Sequence, residues 1–424
     1  LDDDGFSKHR VHNTKGNIIV PAGVDLAASP LGEITLAGAN VSVFGSLSAP
    51  GGTLSLSAYN ISPIAATEFP LLNVAGALLP LPNPGRGRVT LGSSAKLDVA
   101  GLIVNDRVGS PTMLQFPKVL DGGSIAIKSY NASLARGSII DASGGVYAAP
   151  RGGITYGNGG SIEITTGKDL SLPGVIGGSL SLGSELRGYS GATGGSLAIQ
   201  ASLIQIGGGA RFPNTLVLQP EFFRTGGFTK FTLNGIGADS PEIAGPGDPD
   251  TYVPGLMIAP GTVIEPMAES LLAIPNMWGN PGLEIRRYFK PDGMRKPVSL
   301  AFGALGSDDP YTIDKLEVRG DIVMGRGARI VVEPTASVAF SGQTVTLLGS
   351  VHAPGGSITV RGASTFPLAP AVAQAATYAR PTVHIGAGAV LSTAGVVQYT
   401  PDYFGRRLGT VYGGGSISVF GNIL

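Results

Sequence analysis

The chain contains no cysteine. That excludes a disulfide scaffold, a thiolate metal site and a thiol nucleophile. Charge is scarce too. Only 14% of residues are Asp, Glu, Lys or Arg, and the formal net charge is +0. No basic face is implied, so neither nucleic acid nor an anionic membrane is expected as a partner. The four histidines, His9, His12, His352 and His384, are scattered and suggest no metal or acid–base cluster. Long hydrophobic runs are missing as well. The most apolar stretch, Phe69 to Pro84, is interrupted by Pro70, Pro80, Pro82 and Pro84 and is too short for a membrane helix. No phosphate-binding loop, dinucleotide fingerprint or HExxH motif is present. We expect no enzyme, no catalytic residues and no cofactor.

What is abundant is glycine, 66 residues, beside 31 prolines and a hydrophobic fraction of 43%. Disorder needs low hydrophobicity and high net charge, and neither holds. Collagen needs glycine at every third position, which also fails. Leu1 is not an initiator methionine, so we expect a processed product or a piece of a longer chain.

Short alternating segments recur throughout, each bounded by glycine. Examples are GEITLAGANVSVFGSLSA (32–49), GRVTLGSSAKLDVAG (87–101) and GSIIDASGG (137–145). Alternation of apolar and small polar residues is the period of a strand with one buried face. A Gly-Gly-Ser/Thr box precedes such strands at Gly51, Gly122, Gly159, Gly177, Gly194, Gly355 and Gly414. Similar strands at about 20-residue intervals, with no helical pattern between them, predict a solenoid of parallel strands. Its 17–20 coils would make a rod on the order of 90 Å.

A longer period overlies the short one. VSVFGSLSAPGGTLSLSA (41–58) returns as VTLLGSVHAPGGSITVRG (345–362), a shift of 304 residues. We expect an irregular segment over 1–15 and coils over 16–212. Over 213–312 the coils are interrupted by insertions at 213–255 and 266–312, the latter with a short helix near Ala268–Ala273. From 313 to 424 coils restart the longer repeat.

Candidate sites are few. Asp98, Asp106, Asp121 and Asp141, with Arg88 and Arg107, are the residue types that polysaccharide-cleaving enzymes use. We expect them to be scattered over the surface. Asp2–Asp4, Asp248 with Asp250, and Asp308 with Asp309 could hold a cation, but acids in such loops usually form turns. Asn40, Asn60 and Asn131 each begin a glycosylation sequon. Trp278, Arg286, Arg287, Tyr288 and Phe289 form the best candidate contact cluster, since exposed aromatic and Arg residues suit protein or sugar recognition.

The pieces GLIVND (101–106), IIDASGG (139–145), LRGYSGATGGSLAI (186–199), EFFRTGGFTKFTL (221–233), LMIAPGTVIEP (256–266) and PDGMRKPVSL (291–300) resemble the large filamentous-haemagglutinin-like outer-membrane proteins of Gram-negative bacteria. These are cargo of two-partner secretion. The resemblance implies an all-β fold, a right-handed parallel β-helix, with export through an outer-membrane transporter to the cell surface. It implies adhesion to a host or surface glycan or protein, or fibre formation with copies of itself. A self-assembling extracellular filament subunit and a β-helical polysaccharide lyase or hydrolase are the alternatives.

Overall fold

The computed structural model describes residues 7–72, 79–113, 115–239, 252–276, 282–308, 316–363, 382–400 and 402–423. Its regular structure is almost wholly strand, and the long sheets are parallel. The chain visits three ladders in turn and adds one strand to each. The first ladder takes Glu33–Val43 by its N-terminal half, then Thr53–Ala58, Ser124–Ser129, Ser161–Thr165, Ser196–Ala201 and Lys230–Gly235. It continues with Ser299–Ala304, Ser337–Ser341, Ser357–Arg361 and Ser416–Phe420. Lys8–Val20 precedes them all, beside Glu33–Val43.

The second ladder uses the C-terminal half of Glu33–Val43, then Arg88–Leu91, Asn131–Leu134 and Leu180–Leu182. The third uses Asp25–Ala27, Ser46–Ser48, Lys96–Asp98, Ile139–Asp141 and Glu185–Arg187. Inward residues of all three meet in one continuous apolar core. Leu54, Leu56, Val89, Leu91, Leu97, Ile140 and Ile164 are fully buried. Burying one such side chain contributes roughly 1.5–3 kcal/mol.

The Gly-Gly-Ser/Thr boxes have a physical cause. All but the Gly177 box lie at the start of a first-ladder strand, where the backbone of one rung presses on the next. A Cβ on Gly52 would lie 2.1 Å from the Gly32 carbonyl oxygen. On Gly123 it would lie 2.0 Å from that of Gly52, and on Gly160 1.9 Å from that of Gly123. The same carbonyls accept hydrogen bonds from the amides one residue further on: Thr53 to Gly32, Ser124 to Gly52 and Ser161 to Gly123. No side chain fits between them.

The two copies of the longer repeat lie at matching places. Val41 and Val43 are on the second ladder, as are their counterparts Val345 and Leu347, in Thr344–Leu347. Leu47 and Val351 are on third-ladder strands, and Leu54 and Ile358 on the first. All eight residues are 0% exposed.

Several expectations change. Lys8–Val20 is a strand, where irregular chain was expected over 1–15. The Gly177 box opens a second-ladder strand, so the 18- and 17-residue steps to its neighbours are not one repeat. The first ladder has eleven strands among the described residues, where 17–20 coils were expected, because excursions between strands take up much of the chain. That stack is about 50 Å long. PEFFRTGGFTKF does not project. Pro220–Arg224 is a 3-10 helix, Lys230–Gly235 is a ladder strand, and Phe223, Phe228 and Phe231 are buried together with ring centroids 5.2–5.8 Å apart. Phe302 likewise sits in a ladder strand, stacked on Phe340 at 5.3 Å. The helix expected near Ala268–Ala273 is the strand Ser270–Pro275, and a true α-helix lies at Pro63–Leu72.

The glycine column makes a direct prediction. Gly160→Ala should lower stability by about 3 kcal/mol, since backbone must move to admit the methyl group. Gly209→Ala, where a Cβ meets nothing within 4 Å, should change it little. Denaturant midpoints of the two variants check this.

Candidate contact surface

Among the described residues most excursions from the ladders leave at two corners; the loop 207–214 instead joins the end of Leu203–Ile206 to the start of Thr215–Leu218. Between the third and first ladders lie three antiparallel hairpins: Val146–Ala148 with Ile154–Tyr156, Ser270–Pro275 with Leu283–Tyr288, and Val396–Thr400 with Leu408–Tyr412. Between the first and second lie the Pro63–Leu72 helix and two short hairpins, Ala238–Asp239 with Tyr252–Val253 and Ser307–Asp308 with Leu316–Val318. The remaining corner is a tight turn almost throughout.

The hairpin Ser270–Tyr288 carries the expected contact cluster, and it spans a seam. Beyond Leu180–Leu182 and Glu185–Arg187 the second and third ladders stop. They resume as separate sheets that begin with Thr215–Leu218 and Val263–Ile264. Thr215–Leu218 follows Leu203–Ile206 in the chain but precedes it in the sheet, so the chain steps back one rung here. Only the first ladder runs through unbroken. A groove of 480 Å³ opens at the break, lined among others by Leu182, Glu185, Leu186, Tyr189, Leu216, Gln219 and Phe222.

The hairpin leaves the rung beyond the seam and fastens onto the rungs before it. The Leu271 amide donates to the Ser190 carbonyl at 3.1 Å, and the Ala273 amide to the Tyr156 hydroxyl at 2.9 Å. Arg287 Nη1 donates to the Tyr189 hydroxyl at 2.9 Å and lies 3.4 Å from Glu185 Oε1. Lys290 donates to the Gly191 carbonyl, and Arg107 to that of Asn276 at 2.8 Å. The hydrogen bond from Arg187, then the charges of Arg187 and Arg287, hold the Glu185 carboxyl below its ordinary range. The Tyr189 hydroxyl is pushed up by burial. On the far side, Arg295 pairs with Glu333 at 2.6 Å and with Asp292.

The expected cluster is therefore divided. Arg287, although half exposed, reaches back to Tyr189 and Glu185 as a clamp, and Tyr288 is half-buried. Arg286, paired with Glu284 at 2.6 Å, and Phe289 face solvent. Trp278 lies outside the described residues, as do Asp2–Asp4, Asp248, Asp250 and Asp309. The turn at Gly293 abuts the third hairpin, where a Cβ would lie 2.3 Å from the Tyr399 carbonyl oxygen. That hairpin carries the surface missed in the sequence. Tyr403 is 96% and Phe404 75% exposed, stacked edge to face, with Arg406 over the Phe404 ring at 5.1 Å. The paired aromatics and arginines of PDYFGRR were its signal.

The acidic candidates are not all scattered. Asp98 and Asp141 are neighbours in register on the third ladder, with Arg187 next to Asp141. Each carboxylate accepts an amide two residues on, from Ala100 and Ser143 respectively, and Lys96 pairs with Asp98 at 2.6 Å. They close their own turns. Asp106, 3.7 Å from Lys118, and Asp121, bonded by the Asn158 amide, stand apart. Arg88 is on the second ladder. Among the described residues no three His, Asp or Glu side chains are placed to hold a metal.

The sequon asparagines are structural. Asn40 donates to Asn17 and Gly85, and Asn60 is buried and donates to Asn83 and Arg86. Asn131 accepts from the Ser179 amide and hydroxyl. The buried Asp169, unremarked in the sequence, accepts four amides, from Asn60, Ile61, Ser171 and Leu172, and so ties two excursions together.

No known protein family, no curated protein and no solved structure matches the chain.

The clamp predicts a pH effect. The Glu185 pKa is lowered in the folded chain, so its stabilising contribution is complete above the ordinary carboxylate value of 4.5 and is lost as pH falls through the lower folded value. Amides of Leu283–Tyr288 should exchange faster, relative to ladder amides, at pH 3 than at pH 6. Glu185→Gln should bring the faster exchange at pH 6. Hydrogen exchange of both proteins checks this.

Proposed function

We propose that the three ladders are the faces of a right-handed parallel β-helix, and that the chain is a stiff module of a secreted bacterial surface fibre. Crossover connections between parallel strands are overwhelmingly right-handed, which supports the hand. The observation that carries the functional reading is the division of labour in the fold. One ladder of eleven strands runs through, while most excursions among the described residues leave at two corners. A rod that holds loops away from its axis is what attachment or assembly at a surface requires.

In this reading the module belongs to a filamentous-haemagglutinin-like protein, exported through an outer-membrane transporter and displayed on a Gram-negative cell. The sequence pieces support that assignment. No helix among the described residues is long and apolar enough to cross a membrane. The hairpins with Arg286, Phe289, Tyr403 and Phe404 are the contact surface.

Two measurements test the reading. Electron microscopy of the purified protein should give short rods whose long axis is about 50 Å. Incubation with pectin, alginate or glycosaminoglycan should release no oligosaccharide. Turnover that disappears in Asp141→Asn would replace the structural reading with a lyase or hydrolase.

A further inference from the structure

The outward face of the second ladder, before the seam, is basic. Its strands there are the C-terminal halves of Lys8–Val20 and Glu33–Val43, then Arg88–Leu91, Asn131–Leu134 and Leu180–Leu182. Segments 15–24, 40–46, 84–95, 131–137 and 179–184 make up these strands and the turns immediately next to them. They hold Lys15, Arg86, Arg88 and Arg136 and no Asp or Glu. Asp25 and Glu185 stand just beyond, at the starts of third-ladder strands, and Glu185 is held by Arg187 and Arg287. A net charge of +0 implied no basic face; strand register assembles one.

A cleft of 310 Å³ lies on this face. Three rungs of outward side chains line it, neighbours in register: Asn17 with Ile19, Asn40 with Ser42, and Arg88 with Thr90. The turn at Pro84 and Gly85 lines it too. Asn40 fixes that turn to the ladder. Its Nδ2 donates to Asn17 Oδ1 at 2.9 Å and to the Gly85 carbonyl at 2.8 Å, and its Oδ1 accepts the Arg88 amide at 3.0 Å. Asn60, bonded to Asn83 and Arg86, holds the same turn, and Arg86 Nη2 donates to the Thr14 carbonyl at 2.6 Å. The cleft is therefore preformed. Four groups in it have no hydrogen bond or ion pair among the described residues: the exposed Arg88 guanidinium, the Ser42 and Thr90 hydroxyls and Asn17 Nδ2. Beyond the cleft the two columns run on through Asn131 and Ser133 to Ser179 and Ser181.

We infer that this cleft binds an acidic polysaccharide, with a carboxylate or sulfate on Arg88 and sugar hydroxyls on Asn17, Ser42 and Thr90. A planar guanidinium takes either anion through two parallel hydrogen bonds. Ser and Thr hydroxyls and Asn amides both donate and accept, as ring hydroxyls do. Their columns repeat at one rung spacing, about 4.8 Å, and so offer successive partners to an extended chain laid along the stack. No aromatic residue is among the lining residues described, so a nucleic-acid base has no ring to stack on. A neutral sugar would leave Arg88 without a counter-charge, and an acidic peptide has no row of hydroxyls to meet the columns. None of the hairpins assigned to contact lines the cleft, and the inference does not depend on the rod or secretion reading.

Equilibrium binding of the whole chain to alginate, heparin and dextran oligosaccharides and to a single-stranded DNA oligonucleotide tests this. An acidic glycan should bind and neutral dextran should not. Binding of alginate shows that carboxylate suffices; binding of heparin alone assigns Arg88 to sulfate. Arg88→Ala should weaken binding about tenfold. Arg88→Lys, which keeps the charge and loses the fork, should fall between, and Ser42→Ala with Thr90→Ala should weaken binding as well. These side chains face outward, so denaturant midpoints should stay unchanged. Arg407→Ala, on the third hairpin, should leave affinity as it is. No binding of either acidic glycan, or equal binding of dextran, overturns the inference. So does DNA bound as tightly through Arg88, which would make the site a general polyanion site. Affinity lost in Arg407→Ala and kept in Arg88→Ala overturns it in favour of the hairpin. None of these results touches the rod reading.

Discussion

Backbone pressed on backbone is the constraint from which the rest of the structure follows. At the start of the first-ladder strands each glycine lies on the carbonyl of the rung below, and the next amide bonds to that carbonyl. This contact fixes the rung spacing at one edge of the core. The inward columns can then stack aliphatic side chains in register, and the outward positions are left to small residues such as Ser124 and Ser196. Burial of those columns outweighs the surface ion pairs, which are worth roughly 0–1 kcal/mol each. The fold is thus held by core and ladder.

The column is not complete, and where it fails the fold changes. Register places Thr229, Val298 and Ala336, not glycine, at the next three positions after Gly195. This is also where the second and third ladders are broken and Thr215–Leu218 steps back. Two devices compensate. The Phe223, Phe228 and Phe231 rings fill the interior, and the Ser270–Tyr288 hairpin is fastened across the outside by Arg287, Lys290 and Arg107. The aromatic density of 213–312 belongs to a repair of the stack as much as to anything displayed from it.

Strand alternation and glycine boxes made the parallel, all-β architecture legible in the sequence, and the return of 41–58 at 345–362 falls on matching ladders. Rung count was not legible. Spacing of similar boxes cannot tell two faces of one coil from two coils, which is how the Gly177 box misled. The aromatic run 220–231 was misplaced because Phe can fill inward ladder positions, as Phe231, Phe302 and Phe340 do, where aromatic residues were read as a sign of display. Arg287 was found as a contact residue, yet its partners Glu185 and Tyr189 are about a hundred positions away and carry no local signal. The Asp98–Asp141 adjacency depends on register, and Asp169 on loops that meet only after folding.

Distances along the stack test the central claim most directly. Spin labels at Ser55 and Ala339, six rungs apart, should lie about 29 Å from each other, and labels at Ser55 and Ser418, eight rungs apart, about 38 Å, both in narrow distributions. Growth by one rung spacing per coil, regardless of the hundreds of residues between the labels, is the expected result. Distances that do not increase with rung number, or that spread broadly, would contradict a continuous ladder and the account built on it.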